Sequence, residues 1–180
     1  MLDREEVKKT LDAFNAYVVQ QSRSILTKSD SNVSKKLYDS IQGSVLVNPN
    51  SIELSFSMEE YGEFQDLGVQ GKVSNLKAPN SPFKFGSGTG QKGGLTSGIN
   101  KWVRQRGFQF RNKKNGKFMS FDQTAQLITQ SVYKKGFSPK NFFNKPFEAA
   151  FERLPDDIVE AYGLDIETLL KNTLENGKKN

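Results

Sequence analysis

Apolar residues near the start of the chain recur at alternating steps of four and three: Val7, Leu11, Phe14, Val18 and Ile25, with Gln21 interrupting. That spacing gathers them on one face and predicts an amphipathic helix over 3–27. Asp3 is placed to cap it, with Glu6 as the return arm of a capping box. The stretch "KSDSNVS" reads as a turn or loop. A short helix is expected at 34–42, capped by Ser34, with Leu37, Tyr38 and Ile41 on one side. The period then changes from helical to two. In "SVLVNPNSIELSFSM", residues 44–58, Ile52, Leu54, Phe56 and Met58 alternate strictly with Glu53, Ser55 and Ser57. This predicts a β-hairpin turning at Asn48-Pro49-Asn50, with one face buried by a helix.

"EEYGEFQDLG" reads as a short helix or turn that ends at Gly68. Residues 69–98 carry Pro79, Pro82 and many glycines and read as one long irregular loop, a length that points to function or to ordering on a partner. A helix is expected at about 97–106, with Ile99, Trp102 and Val103 on a narrow apolar face and Gly107 as its stop. "FQFRNKKNGKFMSF" reads as a hairpin with Asn115-Gly116 at the tip. A helix over 122–135 follows, capped by Asp122, with Ala125, Ile128 and Val132 inward and Gly136 as its stop. Phe143, Phe147 and Phe151 then recur every four residues within an expected helix at 141–153, with Leu154 just beyond. Pro146 sits best in that helix's first turn, which leaves "NFFN" as an extended lead-in laying Phe142 or Phe143 against the sheet. Two short helices, 155–162 and 165–175, complete the chain. Together these elements predict an α+β fold. Its small antiparallel sheet consists of the hairpin at 44–58 plus further strands, packed by several helices. A long N-terminal helix precedes it and a C-terminal helical extension follows.

Composition narrows the chemistry. The 180 residues contain neither cysteine nor histidine. Disulfides, thiolate zinc sites, His–metal ligation and a Ser-His-Asp triad are thereby excluded. No apolar run approaches the roughly 20 residues of a membrane helix. The charged start "MLDREEVKKT" does not resemble a secretory signal, so synthesis in a cytoplasm is expected. Charge is uneven: residues 1–70 carry a net −4, residues 71–151 a net +13 and residues 152–180 a net −3. Such a basic middle suits phosphate binding, or head-to-tail contact with the acidic ends of a neighbouring copy.

Three candidate chemistries follow from the residues. Gly88-x-Gly90-x-x-Gly93 has the letters of a dinucleotide fingerprint, but "NSPFKF" before it is not a buried strand, so it reads as loop. Asp156, Asp157, Glu160, Asp165 and Glu167 could be drawn as a metal cluster. Asp156 and Asp157 fit better as first-turn residues after Pro155, where the helix dipole favours them, and no metal or cofactor is expected. Lys101, Arg104, Arg106, Arg111, Lys113, Lys114 and Lys117 surround Trp102, Phe108 and Phe110. Single-strand binders combine rings and cations in this way. The position of Trp102 on an apolar helix face instead favours rings in the core and cations outside.

The order of elements resembles the tail-completion, or head–tail joining, proteins of tailed bacteriophages. "KKLYDSI" leads into the hairpin, and a Tyr…Phe…Asp…Gly signature follows in Tyr61, Phe64, Asp66 and Gly68. A proline and paired phenylalanines announce the closing helix: Pro139, Phe142, Phe143, Pro146 and Ala149. Trp102, Val103, Arg104 and Gly107 match an extra helix of longer members, and Tyr133, Lys134, Lys135 and Gly136 match the end of the next. The resemblance covers about 34–151; the 69–98 loop and the acidic C-terminal helices depart from it. It divides the chain into an N-terminal helix and linker (1–33), a tail-completion-like core (34–153) and an acidic extension (154–180). It implies a non-enzymatic subunit of a virion neck or tail ring, a hexamer or dodecamer without membrane contact, touching portal, neck or tail proteins. Expected subunit contacts are Lys84, Phe85, Lys92, Leu95, Asp156, Asp157, Glu160 and Leu169. Arg111, Lys113, Lys114 and Lys117 are expected to face DNA in a channel or an acidic adjoining ring. The rival reading from the residues is a basic–aromatic DNA-binding accessory protein of a phage or mobile element. A carboxylate-dependent nuclease is a third, without recognisable spacing.

Overall fold

The computed structural model describes residues 4–29, 35–48, 51–87 and 94–162. In chain order the elements are α1 (Arg4–Lys28), α2 (Lys36–Ser40), β1 (Gln42–Asn48), β2 (Ser51–Ser57), α3 (Tyr61–Leu67), β3 (Val69–Gln70), α4 (Gly94–Arg106), α5 (Phe121–Lys135), β4 (Gly136–Phe137), α6 (Asn144–Phe151) and α7 (Asp156–Ala161). The fold is α+β, with a long first helix, small antiparallel sheets and a helical C-terminal part. The chain forms two compact units, Met1–Asp66 with Lys140–Asn180, and Leu67–Pro139. One unit is contributed by both ends of the chain and the other is inserted between them.

The unit made from both ends has a phenylalanine core. Val7, Leu11, Phe14 and Val18 of α1 are buried as their spacing predicts, but the stripe continues through Ser22 and Leu26, leaving Ile25 half-buried. β1 and β2 pair antiparallel from Gln42↔Ser57 to Asn48↔Ser51, which leaves only Pro49 and Asn50 between the strands. Such a two-residue connection fixes the register. Val45, Val47, Ile52, Leu54 and Phe56 turn toward the core. Leu46 on the other face is exposed, and Ser44 and Ser55 join their hydroxyls there at 2.7 Å. α1 runs so close to β1 that a Cβ on Gly43 would meet the Asn15 side chain and, at 2.8 Å, the Phe56 ring.

Phe142, Phe143 and Phe147 are wholly buried. Phe147 meets Phe14 edge-on at 5.2 Å, and Phe143 meets Phe56 edge-on at 5.3 Å. Burying each ring is worth about 1.5–3 kcal/mol, and each edge-to-face pair about 0.5–1.5 kcal/mol more. Pro146 lies in the first turn of α6, where its missing N–H has no intrahelical partner to lose. The lead-in is not extended: Asn141 is left-handed (φ 49°) and Phe143 is helical (φ −103°, ψ −53°). That tight turn buries both rings rather than one. α2 is also shorter than expected, because Gln42 already belongs to β1. Its N-cap is Lys35 in the left-handed region (φ 53°); Ser34 and Asp3 lie outside the described residues. Ile158 of α7 joins the core.

The inserted unit packs α4 against α5 through Val103, Thr124 and Ala125, all buried. α5 is capped by Ser120, not Asp122: the Ser120 hydroxyl accepts from the Gln123 N–H, and the Gln123 side chain accepts from the Ser120 N–H. α4 starts at Gly94, earlier than the apolar pattern indicated. The 69–98 stretch is only partly irregular. β3 pairs antiparallel with β4, as a two-stranded sheet separate from the hairpin. On its other side Gln70 donates to the Phe83 carbonyl at 2.8 Å and accepts from the Phe85 N–H at 2.9 Å. The Gln70 side chain donates to the Ser81 carbonyl at 2.7 Å, and the buried Ser81 hydroxyl donates to the Gly68 carbonyl at 2.7 Å. Residues 108–120 make a ribbon with one antiparallel bridge, Arg111↔Phe118, rather than two full strands.

Candidate functional site

The Tyr…Phe…Asp…Gly stretch and the proline–phenylalanine stretch meet through Asp66. Its carboxylate oxygens accept the backbone N–H of Phe143 at 2.8 Å and of Asn144 at 3.2 Å. These N–H groups open α6 and have no acceptor within the helix. Phe143, at the N-cap position, has no side-chain oxygen, so a carboxylate from α3 supplies what a local cap would. The end of α3 adds two more bonds: the Gln65 carbonyl accepts from Lys140 at 2.9 Å, and the Asp66 carbonyl from Asn141 at 3.0 Å. Burial pushes the Asp66 carboxyl up to about 6, against the N–H bonds from Phe143, Asn144 and Phe142; Glu148 nearby adds to the rise. Tyr61 and Phe64 of the same signature are partly exposed, so Asp66 and not the rings makes the join.

Gly136 and Tyr133 sit where α5 turns into β4. Gly136 has φ 69°, and a Cβ there would collide with the Val69 carbonyl oxygen and the Gly71 nitrogen. The Tyr133 ring lies 5.9 Å from Phe85 and 5.8 Å from the Lys72 ammonium. Phe85, an expected subunit contact, is thus half-buried within its own unit, also 6.3 Å from Phe137. Lys84 is exposed and Leu95 half-buried in the first turn of α4. Asp156 and Glu160 are exposed on α7, which also contains Asp157. Lys92, Leu169, Asp165, Glu167, the 165–175 helix and the whole Gly88–Gly93 glycine motif lie outside the described residues. Among the described residues no group of three acidic, histidine or cysteine side chains converges on a metal-sized space.

The expectation that the rings of the basic stretch form a core is overturned. Trp102 is 40% exposed, Phe108 42%, Phe110 37% and Phe118 62%. Only Val103 of the α4 apolar face is fully buried, with Ile99 half-buried and Trp102 exposed. Trp102 and Phe108 lie 6.2 Å apart, and Phe108 meets Phe110 edge-on at 5.2 Å. The Arg111 guanidinium sits over the Phe118 ring at 4.6 Å. The ribbon is anchored to α5 where the Thr124 hydroxyl accepts the Phe110 N–H at 3.2 Å. Its tip is built by asparagines: Asn112 accepts from Gly116 and Lys114, and Asn115 accepts from Lys117. Lys113, Lys114 and Lys117 are exposed around that tip. Asp122 takes hydrogen bonds from Asn100 and from Arg104, each at 2.7 Å, which hold its carboxyl below the usual range. Phe118, the most exposed of these rings, escaped the reading of the sequence; its alternation with Met119 along the ribbon was the available signal.

No family model, no curated protein and no solved structure matches this chain.

Proposed function

We propose that this chain is a structural subunit of a tailed-bacteriophage neck or tail ring, a tail-completion or head–tail joining protein that works by binding neighbours and catalyses nothing. The observation that carries the reading is the Asp66 join. The two stretches that resemble the phage family, far apart in sequence, are tied by the bonds from Phe143 and Asn144 to one carboxylate. A signature whose residues serve a shared structural join is more specific than letters in order. In this reading the subunit forms a hexameric or dodecameric ring in the virion, between portal and tail proteins. Lys84, Leu95, Asp156 and Glu160 remain its candidate subunit contacts, and opposed charges on the two units favour head-to-tail closure.

Mass spectrometry of purified particles, with the solution mass of the isolated chain, tests this. The expected result is the chain present in virions at six or twelve copies, by the ring sizes above. Particles free of the chain would sink the proposal.

A further inference from the structure

The inserted unit is a polycation. Residues 67–139 hold thirteen lysines and arginines and a single acid, Asp122. That acid is already engaged by Arg104. Lys101, Arg111, Lys113, Lys114 and Lys117 have no acidic partner among the described residues. Four exposed rings, Trp102, Phe108, Phe110 and Phe118, stand on the same α4–ribbon segment. From this we infer that the segment from α4 through the ribbon is a binding surface for single-stranded nucleic acid, its cations on the phosphates and its rings stacking on bases.

The chemistry separates this occupant from others. An acidic protein face would satisfy the charge, but lysine is depleted at protein interfaces, where its strongly hydrated ammonium must be stripped of water. Here three lysines crowd the ribbon tip, a placement suited to phosphates, which are contacted while still wet. A duplex would also satisfy the charge. Its bases, however, are stacked on one another and leave the rings with nothing to cover them. A single strand offers a phosphate and an unstacked base at each step, and rings accept any base because every base has a π-face. Arg111 over Phe118 brings a cation and a ring together, complementary to the phosphate and base that one nucleotide presents. The surface lies on the inserted unit alone, goes beyond the ring-subunit reading and does not depend on it.

Trp102 is the one tryptophan of the chain, so its fluorescence reports on this surface without a label. The experiment titrates the full chain with a labelled 20-mer oligothymidylate at about 50 mM salt, following anisotropy and Trp102 emission. Parallel titrations use a duplex of the same length and polyglutamate. The expected result is binding with quenching of Trp102 that is strongest for the single strand. Phe118→Ala should weaken it about 5- to 150-fold, the effect of one lost stacked base. Replacing Lys113, Lys114 and Lys117 together with Gln should flatten the slope of log K against log salt by about 2, since each phosphate contact on a single strand contributes about 0.7. These four positions are exposed, and circular dichroism checks that the variants keep their fold. No binding at that salt would overturn the inference. So would equal binding of polyglutamate, which would mark an acidic protein face. Duplex preference without quenching overturns it as well.

Discussion

Asp66 accepts the backbone N–H of Phe143 at 2.8 Å, a bond that spans 77 residues of sequence and begins the closing helix α6. The carboxylate fastens the end of α3 to the turn that buries Phe142 and Phe143. Removing it leaves two N–H groups at a buried helix start without an acceptor. Each such loss costs about 1–3 kcal/mol. Asp66→Ala is therefore expected to destabilise by about 2–4 kcal/mol, part of the loss being offset because a buried charge is also removed. Asp66→Asn keeps one acceptor oxygen and should cost about half as much. Urea unfolding followed by circular dichroism measures both; equal stability of Asp66→Ala and the natural chain would remove the join from any account of the fold.

The same carboxyl makes stability depend on pH. Its folded value, raised to about 6 by burial, lies above the ordinary 3.8 that the unfolded chain has. Between those values the folded state holds more protons than the unfolded state, so stability falls as pH rises. The contribution is complete below about pH 4 and gone above about pH 6. A separation of that size is worth roughly 3 kcal/mol. Asp66→Asn has no such proton to lose. The stability of the natural chain minus that of Asp66→Asn should fall by about that amount from pH 4 to pH 7. A difference that stays level across that range contradicts the assignment.

What the sequence disclosed, and what it withheld, follows the range of the forces involved. The stripe on α1, the hairpin and the first-turn place of Pro146 were legible, because each rests on neighbours within a few residues; the turn is one residue shorter than the sequence indicated, since Asn48 belongs to β1. Ser120 was also legible in principle: Ser120-x-x-Gln123 has the return arm that Asp122-x-x-Ala125 lacks. Gln70 was not. A glycine- and proline-rich stretch reads as loop, and only the fold brings Phe83, Phe85 and β4 to its two sides. Trp102 misled for a related reason. Periodicity shows that a helix has an apolar face, but not how wide a strip its neighbour covers, and of that face only Val103 is fully buried. The same uncovered strip is the candidate site, so its exposure became visible only once α4 and α5 were seen packed together.

Glycines in the left-handed region separate backbone preference from close approach. Gly116 at the ribbon tip has φ 66° and open space where a Cβ would go, whereas Gly136 has φ 69° and backbone atoms of β3 and Gly71 in that space. Gly116→Ala is expected to cost about 1–2 kcal/mol, the left-handed penalty alone. Gly136→Ala adds the displacement of β3 and should cost clearly more, with the protection of the Val69 and Gln70 amides against hydrogen exchange falling in step. Gly98, inside α4 with nothing nearby, goes the other way. Gly98→Ala should stabilise by about 0.5–1 kcal/mol. Equal effects at Gly116 and Gly136 would show that β3 does not lie against Gly136.

Two kinds of ring should respond oppositely to truncation. Phe147 is wholly buried, between Phe14 at 5.2 Å and Phe56 at 5.9 Å. Phe147→Ala opens a cavity in the unit that both chain ends build and should cost about 3–5 kcal/mol. Phe118 lies largely in solvent, with the Arg111 guanidinium over it at 4.6 Å. Losing that contact costs about 0.5–1 kcal/mol, so Phe118→Ala should leave thermal unfolding almost unchanged. Trp102→Ala falls between, since its ring is partly covered by Phe108 at 6.2 Å. The contrast assigns the rings their work. A ring whose removal leaves the fold intact is kept for something outside the fold, and a ring whose removal collapses it is not free to bind anything. If Phe118→Ala destabilised the chain as much as Phe147→Ala, the ribbon rings would be core after all, and the surface built from them would lose its basis.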